Sequence, residues 1–396
     1  MPAHISPEQR RARLARRHLL APAARTDDVA AVADAVVALH STDPVTVHLS
    51  ALARMRQPSV AALERALYVD RALVRHHAMR RTLWVATPAV VRLAHGAATR
   101  RLVAPERRRL LRLLADNGVA DPDGWLQHAS RRVLAAVTEH GPVTARALRG
   151  LVPDVDHPLV LAPGKRYSAT VSAHTRVLPL LGFEGEVVRT RPNGSWVSGA
   201  YAWAATGDWL AGGLGDLAEP EAARELALRW LRRFGPGTTT DLQWWTGWTL
   251  TTTRAALAAC GAVPVGLDAG PGWVAPGDEG SVEPPEPWLA LLPGLDPTTM
   301  GWKQRDWYLP EHAAGCFDRM GNAGPTIWAD GRVVGGWDQR PDGSVVHHLV
   351  ERLDRVHQDL LAERTAALTA AVGGTRFTVR FPSPVSSALR AGTALG

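Results

Sequence analysis

Cysteine and lysine are both scarce in this chain of 396 residues, and each scarcity excludes a class of protein. The two cysteines, Cys260 and Cys316, cannot build a disulfide framework and are too few for a cysteine-based zinc site. The two lysines, Lys165 and Lys303, leave few amines for catalysis through a Schiff base. We therefore expect a protein without a bound metal and without a nucleotide cofactor.

Long apolar runs are also absent, and none approaches the roughly 18 residues that a membrane span needs. The N-terminal stretch, residues 1–17, is basic and lacks the apolar core of a signal peptide. Hydrophobic residues make up 46% of the chain and charged residues 21%, as in ordinary globular proteins. These features predict a cytoplasmic, nucleoid-associated protein with no membrane partner, and the length predicts about two to four domains.

The formal net charge is +7, and nearly all of the positive charge is arginine. One explanation is the composition of a GC-rich genome. The other is an anion-binding surface, because arginine binds phosphate through two parallel hydrogen bonds. Arginines cluster within residues 10–17, 75–81 and 100–112, which favours the second explanation.

Residues 7–85 have the order of a winged helix, in which three helices lead into a hairpin. Helices are predicted over residues 7–18, 27–40 and 60–68, and two short strands over residues 73–85 surround a basic bend. The same order follows twice more. In the second unit, residues 165–181 are predicted as a helix, and Pro192-Asn193-Gly194 as the tip of a hairpin over residues 186–198.

The last part of the chain has a different pattern, with antiparallel strands, a helix over residues 350–372 and a terminal strand over residues 377–381. The sequence predicts an α+β fold in which three tandem winged-helix domains precede a C-terminal β-barrel-like domain. The predicted boundaries are residues 1–120 for the first winged helix, 121–215 for the second, 216–282 for the third and 283–396 for the barrel.

The stretch His40-Ser41-Thr42-Asp43-Pro44 places an imidazole, two hydroxyls and a carboxylate at a predicted helix end. Pro44 disfavours the helical conformation at Asp43, so the preceding helix stops here. One interpretation is that Thr42 and Asp43 only cap the next helix, with His40 as a packed side chain. The other is that these groups face a partner and carry out chemistry.

This stretch and several others resemble motifs of one protein family, and together they cover nearly the full length of the chain. They are Leu39–Pro44, Leu73–Trp84, Leu291–Pro297 with Gly301–Arg305, and Pro325–Trp337. The chain resembles the AlkZ/YcaQ-like winged-helix DNA glycosylases. Members of that family excise alkylated purines, and some unhook interstrand crosslinks made by natural-product alkylators. The resemblance implies a monomeric enzyme acting on double-stranded DNA that carries alkylpurine adducts, with a role in self-resistance to a genotoxic metabolite.

The family's catalytic motif is Gln-x-Gln or Gln-x-Asp, and here His40 and Thr42 occupy the two positions. An imidazole with a pKa near about 6.5 could orient and deprotonate a water as a general base. Thr42 would be a second acceptor for that water, Ser41 would point away, and Asp43 would orient His40 or stabilise a cationic sugar. The competing hypothesis is that the substitution abolishes hydrolysis and leaves a DNA binder.

Basic and amide side chains in the hairpins and in one C-terminal loop are candidate DNA contacts. They are Arg75, His77, Arg80, Arg81, Arg189, Arg191, Lys303, Gln304 and Arg305. The sequence as a whole predicts a monofunctional DNA glycosylase. The alternative is a non-catalytic winged-helix protein such as a transcriptional regulator, although a dimeric regulator usually has one reading helix for each half-site.

Overall fold

The computed structural model describes residues 3–393, and the first part of the chain is helical with one short hairpin. Its elements are α1 (Pro7–Arg17), α2 (Val29–Ala35), β1 (Leu39–His40), α3 (Pro44–Leu52), α4 (Val60–Tyr68), β2 (Val74–His77), β3 (Leu83–Ala86), α5 (Pro88–Ala94) and α6 (Val103–Asp116). The predicted helix over residues 60–68 and the hairpin over residues 73–85 are confirmed. The predicted helix over residues 27–40 is too long, because Leu39 and His40 pair with β3 as a strand.

The second part alternates helices with two hairpins. Its elements are α7 (Pro122–His140), β4 (Val143–Thr144), α8 (Ala145–Leu151), β5 (Pro158–Leu161), β6 (Ala169–Ser172), α9 (His174–Glu184), β7 (Val187–Pro192), β8 (Tyr201–Ala205) and α10 (Thr206–Trp209). The helix predicted over residues 165–181 is wrong in its first half, since residues 169–172 pair with β5. The second hairpin has a longer loop than predicted, closed where the Asn193 amide donates to the Ala200 carbonyl at 2.8 Å.

The β2–β3 hairpin of the first part and the β7–β8 hairpin of the second form one antiparallel sheet rather than separate wings. Strand β2 pairs with β7 at the register Arg75↔Arg189, which gives the strand order β1-β3-β2-β7-β8-β4. Nothing local in either hairpin indicates this pairing. It places β1 in the same sheet as β7 and β8. Strand β1 begins the stretch Leu39–Pro44, which we call the β1 motif.

The third part repeats the helical order with a hairpin at its end. Its elements are α11 (Glu219–Phe234), α12 (Thr239–Thr246), α13 (Leu250–Ala259), β9 (Val263–Leu267) and β10 (Gly270–Val274). Helix α12 begins with a capping box in which Thr238 and Asp241 each accept the other's main-chain amide. This places Asp241 in the interior, where it also accepts from a later loop.

The C-terminal part is an open antiparallel sheet covered by helices. Its elements are β11 (Leu289–Leu292), β12 (Thr326–Ala329), β13 (Arg332–Gln339), β14 (Val345–Leu349), α14 (Arg355–Val372) and α15 (Pro384–Ala391). The strand order is β11-β12-β13-β14, and the sheet is not closed, so the barrel-like arrangement is not confirmed. Helix α14 packs against β11 and helix α15 against β13.

The terminal strand predicted over residues 377–381 is also not formed, because its amides bond to side chains. The Phe377 amide donates to Gln339 Oε1 at 3.0 Å, and the Arg380 amide donates to Asp43 Oδ2 at 2.9 Å. The segment therefore crosses from the C-terminal sheet to the N-terminal motif, and helix α15 begins after it at a Ser383 cap.

The first, third and C-terminal parts share one apolar core, whereas most of the second part has a core of its own. A buried ion pair links the residue after the α3 C-cap to the C-terminal part: Arg54 donates to both carboxylate oxygens of Asp296, at 2.8 and 2.9 Å. Asp296 also forms a turn by accepting from the Thr298 amide at 2.8 Å. Among residues 3–393, no helix is long and apolar enough to cross a membrane.

Candidate active site and nucleic-acid interface

Strand β1 separates the motif's side chains onto two faces, since successive side chains of a strand alternate. Leu39 and Ser41 are fully buried, and Ser41 Oγ accepts from Arg75 Nε at 2.8 Å. His40 and Thr42 lie together on the other face, with His40 Nε2 3.5 Å from Thr42 Oγ1. The strand therefore aligns the two side chains expected to share a water, and Ser41 points away from them.

The His40 imidazole is held edge-on against Trp84, with the ring centroids 4.8 Å apart. Its Nδ1 is buried and has no hydrogen-bond partner among the described residues. Burial, with the Arg80 charge nearby, lowers the pKa of His40 to about 3. The imidazole is therefore neutral at physiological pH, and it is a weaker base than the expected pKa near about 6.5 would give.

Asp43 has a structural task that occupies both carboxylate oxygens. Its Oδ1 accepts from the Val45 amide at 3.2 Å as the N-cap of α3, and its Oδ2 accepts from the Arg380 amide. The carboxylate is buried, and burial raises its pKa above the usual value. The described contacts of His40 are with Trp84 and Thr42, so the expectation that Asp43 orients His40 is not supported.

A pocket of about 250 Å³ opens beside Thr42, and its charged lining is entirely basic. Side chains from the β1 motif, both hairpins of the shared sheet and the C-terminal segment form its wall. They are Thr42, Pro44, His77, Arg81, Thr82, Leu83, Arg189, Gly199, Tyr201 and Arg380. Three arginines around a threonine hydroxyl make a site that attracts an anionic partner such as a nucleic-acid backbone.

Arg75 is buried and does not reach this pocket, which corrects its assignment as a DNA contact. Only 2% of its surface is exposed. Its guanidinium donates to Ser41 Oγ and to the Tyr68 hydroxyl at 3.1 Å, and it stacks 4.3 Å above the Tyr201 ring. Its β2 position explains this, because the residue lies inside the shared sheet. Arg75 stabilises the motif through its hydrogen bond to the buried Ser41 side chain.

His77 is also largely buried, although its side chain lines the pocket. Its ring stacks on Phe183 with the centroids 4.2 Å apart. Burial, with Arg189 close by, lowers the pKa of His77 well below its ordinary value. A neutral, stacked imidazole is part of the pocket wall and adds no positive charge to it.

Arg80 and Arg81 form the exposed bend between β2 and β3, and both adopt positive φ angles of 55° and 62°. The Arg80 guanidinium lies 4.3 Å above the Trp244 ring, and Arg81 pairs with Glu106. The guanidinium carbon of Arg305 lies 5.4 Å from the centroid of the same Trp244 ring. These contacts join the hairpin bend to the loop of residues 303–305 in one basic surface.

That loop is fixed through its backbone, since Asp241 Oδ1 accepts from the amides of both Lys303 and Gln304. The Lys303 side chain is exposed and Gln304 is half-buried. Arg305 donates to the carbonyls of Trp302 and Gly321, at 3.2 and 3.0 Å. Lys303 is thus free to contact DNA, whereas Arg305 already has partners within the protein.

Arg189 and Arg191 project from the same strand to different surroundings. Arg189 lines the pocket and stacks on Trp203 at 4.7 Å, and burial lowers its pKa to about 10. Arg191 is exposed, 3.4 Å from Glu64 and 4.7 Å above the Tyr68 ring. Arg189 belongs to the pocket beside Thr42, and Arg191 lies at the outer end of the sheet.

The structure adds two pocket residues that the sequence did not indicate, Tyr201 and Arg380. Both reach the motif through long-range packing, and a basic residue in a C-terminal turn carries no local signal. Within residues 3–393, no group of three or more histidine, cysteine, aspartate or glutamate side chains could hold a metal ion.

Comparison with known proteins identifies relatives of the whole arrangement. The model of the family described as DNA glycosylase AlkZ-like matches residues 33–375. Among solved structures, the fold is similar to that of the Streptomyces sahachiroi DNA glycosylase AlkZ, with a TM-score of 0.71 and 19% sequence identity. That alignment covers 96% of this chain and 100% of the other. No curated protein sequence matches the chain.

Proposed function

This chain belongs to the AlkZ-like DNA glycosylase family, and from that premise we propose that it hydrolyses the N-glycosidic bond of N-alkylated purines in double-stranded DNA. The single observation that carries the proposal is the pairing of His40 with Thr42 beside a basic pocket. We further propose that the protein acts as a monomer, and that the helix–hairpin units are three winged helices that hold the duplex.

In this proposal, His40 acts as a neutral hydrogen-bond acceptor. With the proton on Nδ1, the single Nε2 lone pair lies on the side of Thr42, where it can accept from a water when the Thr42 hydroxyl donates elsewhere. Such an acceptor does what the amide oxygen of a glutamine would do at the same position. An imidazole with a pKa of about 3 stays uncharged beside a developing sugar cation, which removes the electrostatic conflict of a protonated histidine.

A weak base is sufficient because the substrate supplies most of the driving force. An N7-alkylated purine already carries a positive charge, so it leaves readily and the sugar passes through an oxocarbenium-like state. The water then needs positioning more than deprotonation, and Nε2 of His40 and Oγ1 of Thr42 provide two acceptors for it. No lysine lines the pocket among the described residues, which favours hydrolysis over a Schiff-base route.

The basic pocket and the surface of Arg80, Arg81 and Lys303 would bind phosphates without reading bases. Asp43 would contribute as a helix cap that fixes the motif, and not through its charge. We extend the proposal to bulky adducts and interstrand crosslinks, because the pocket is open at the surface beside Thr42. We extend it to self-resistance against a genotoxic metabolite because the family resemblance implies that role.

The test is base release from defined duplexes. The protein is incubated with a duplex carrying one N7-methylguanine and with the undamaged duplex, and abasic sites are cleaved and counted. We expect release from the damaged strand only, and unhooking of a crosslinked duplex in a second arm. Tight sequence-specific binding with no release from either adduct would instead support a transcriptional regulator.

A further inference from the structure

A segment from the C-terminal part passes directly over the motif and contacts it twice through one residue. The main-chain amide of Arg380 donates to Asp43 Oδ2 at 2.9 Å. The guanidinium of the same residue donates through Nη1 to the Thr42 carbonyl at 3.0 Å. Arg380 therefore holds both the cap residue and the peptide of the neighbouring threonine.

This segment is itself firmly anchored. Phe377 donates its amide to Gln339, and its carbonyl accepts from Arg390 Nη2 at 2.7 Å. Its ring lies 6.1 Å from that of Trp196 and 6.4 Å from that of Trp337, between centroids. The two contacts of Arg380 thus start from a fixed backbone, so they can restrain the motif.

The Arg380 side chain also faces the pocket and has spare hydrogen-bonding capacity. A guanidinium has five N–H groups, and its one hydrogen bond within the described chain is to Thr42. Arg380 lines the pocket together with Arg189. Its Nη2 also lies beside Gly199, 3.4 Å from the position that a Cβ atom would occupy at that residue.

We propose that Arg380 is a positioning residue that fixes the Thr42 peptide and binds the DNA phosphate next to the excised nucleotide. The proposal rests on the proposed glycosylase function for its catalytic part. A guanidinium is planar and can donate in two directions at once, to the Thr42 carbonyl on one side and to a phosphate oxygen on the other. Binding of the damaged strand and alignment of the water-holding pair would then be coupled through one side chain.

The two contacts of Arg380 can be separated by mutation, because only one of them uses the side chain. Arg380→Ala keeps the amide that bonds Asp43 and removes the guanidinium. Arg380→Lys restores a point charge without the planar fork. Arg376→Ala is the matched control, since Arg376 is an exposed arginine of the same segment that donates to the Asp342 carbonyl at 2.8 Å, outside the pocket lining.

Two quantities are measured for each variant: the salt dependence of affinity for a damaged duplex, and the excision rate with enzyme in saturating excess. For Arg380→Ala we expect the slope of log affinity against log salt to shrink by about 0.9, the value for one phosphate contact. We expect its excision rate to fall about tenfold or more, as for a slightly misplaced catalytic group. Arg380→Lys should recover the slope but not the rate.

Arg376→Ala should match the wild type in excision rate, and its thermal midpoint should equal that of Arg380→Ala. Equal slopes and equal rates for Arg380→Ala and Arg376→Ala would overturn the inference while leaving the glycosylase proposal standing. A reduced slope with an unchanged rate would overturn the positioning role. If the wild type releases no base, the proposed function fails, and the salt slope alone then decides whether Arg380 binds a phosphate.

Discussion

Two polar pairs, the Arg54–Asp296 pair between the first and C-terminal parts and the His40–Thr42 pair of the first part, differ in how their hydrogen-bonding atoms are used. Both carboxylate oxygens of Asp296 accept from Arg54. Its Oδ1 also accepts from the Thr298 amide and its Oδ2 from the Ser50 hydroxyl, and the ion pair is fully buried. In the other pair, His40 Nε2 lies 3.5 Å from Thr42 Oγ1, and Thr42 lines a pocket. The closed pair, in which both carboxylate oxygens are fully used, stabilises the fold, whereas the pair beside the pocket is available for chemistry.

The largest expected effect is on stability, from breaking the closed pair. Arg54→Ala leaves the Asp296 charge buried without its partner, which costs about 3 to 5 kcal/mol in the free energy of unfolding. Urea unfolding monitored by circular dichroism measures it. The control is Arg65→Ala, which breaks an exposed pair with Asp70 and should cost less than about 1 kcal/mol. Equal losses for the two variants would contradict the distinction.

His40→Ala should have the opposite profile, with a large loss of excision and a small loss of stability. Removing a group that positions the attacking water should slow single-turnover excision about a hundredfold. The control is His140→Ala, an exposed histidine at the end of α7, which should keep the wild-type rate. Full excision by His40→Ala would remove the imidazole from the mechanism.

His40→Gln sharpens the same point, because glutamine is also a neutral acceptor. If neutrality and acceptor geometry are what the site needs, the glutamine variant should excise within about tenfold of the wild type. The same single-turnover assay measures it. A glutamine variant as slow as His40→Ala would mean that the imidazole contributes something an amide cannot.

Two variants of Asp43 distinguish a helix-capping role of this residue from a catalytic role of its charge. Asp43→Ala should destabilise the protein by about 1 kcal/mol through loss of the α3 cap. Asp43→Asn keeps one side-chain acceptor, enough for the Val45 amide, and removes the charge and the acceptor of the Arg380 amide, so we expect a loss of stability no larger than that of Asp43→Ala and most of the excision rate. Unfolding curves and excision assays on both variants test this, and an inactive but stable Asp43→Asn would restore a catalytic role.

The smallest effect is expected from pH. The pKa of His40 is lowered to about 3, so the imidazole does not titrate between about pH 8 and 5.5, and the single-turnover rate should change less than about twofold. Buried neutral histidines stabilise the fold fully only above their unfolded pKa of about 6.5, and stability falls as the pH drops below it. The folded fraction is therefore measured at each pH. A rate that falls with a midpoint near 6.5 would contradict a neutral His40.

Local pattern was sufficient to predict several elements and insufficient to predict how they meet. The helix over residues 60–68 and the hairpin over residues 73–85 follow from apolar spacing and a basic bend, and both are confirmed. The resemblance to a family over nearly the full length of the chain is confirmed as well, since the family model matches residues 33–375. Each of these signals lies within a short stretch of sequence.

Several failures involve partners that are distant in sequence. Arg75 was predicted on the surface because it is charged, yet β2 pairs with β7 and buries it. Residues 377–381 alternate like a strand, but their amides bond to Gln339 and Asp43 side chains. The low pKa of His40 likewise depends on burial against Trp84, which no spacing rule contains.

The contact between Arg380 and Asp43 spans 337 residues, which has a consequence for biosynthesis. A ribosome adding about 5 to 20 residues per second needs roughly 20 to 70 seconds to reach the second partner after making the first. Throughout that interval the motif has been translated without the arginine that holds its backbone. A nascent chain therefore carries an incomplete site, and the contacts of Arg380 with Thr42 and Asp43 form only once translation has passed residue 380.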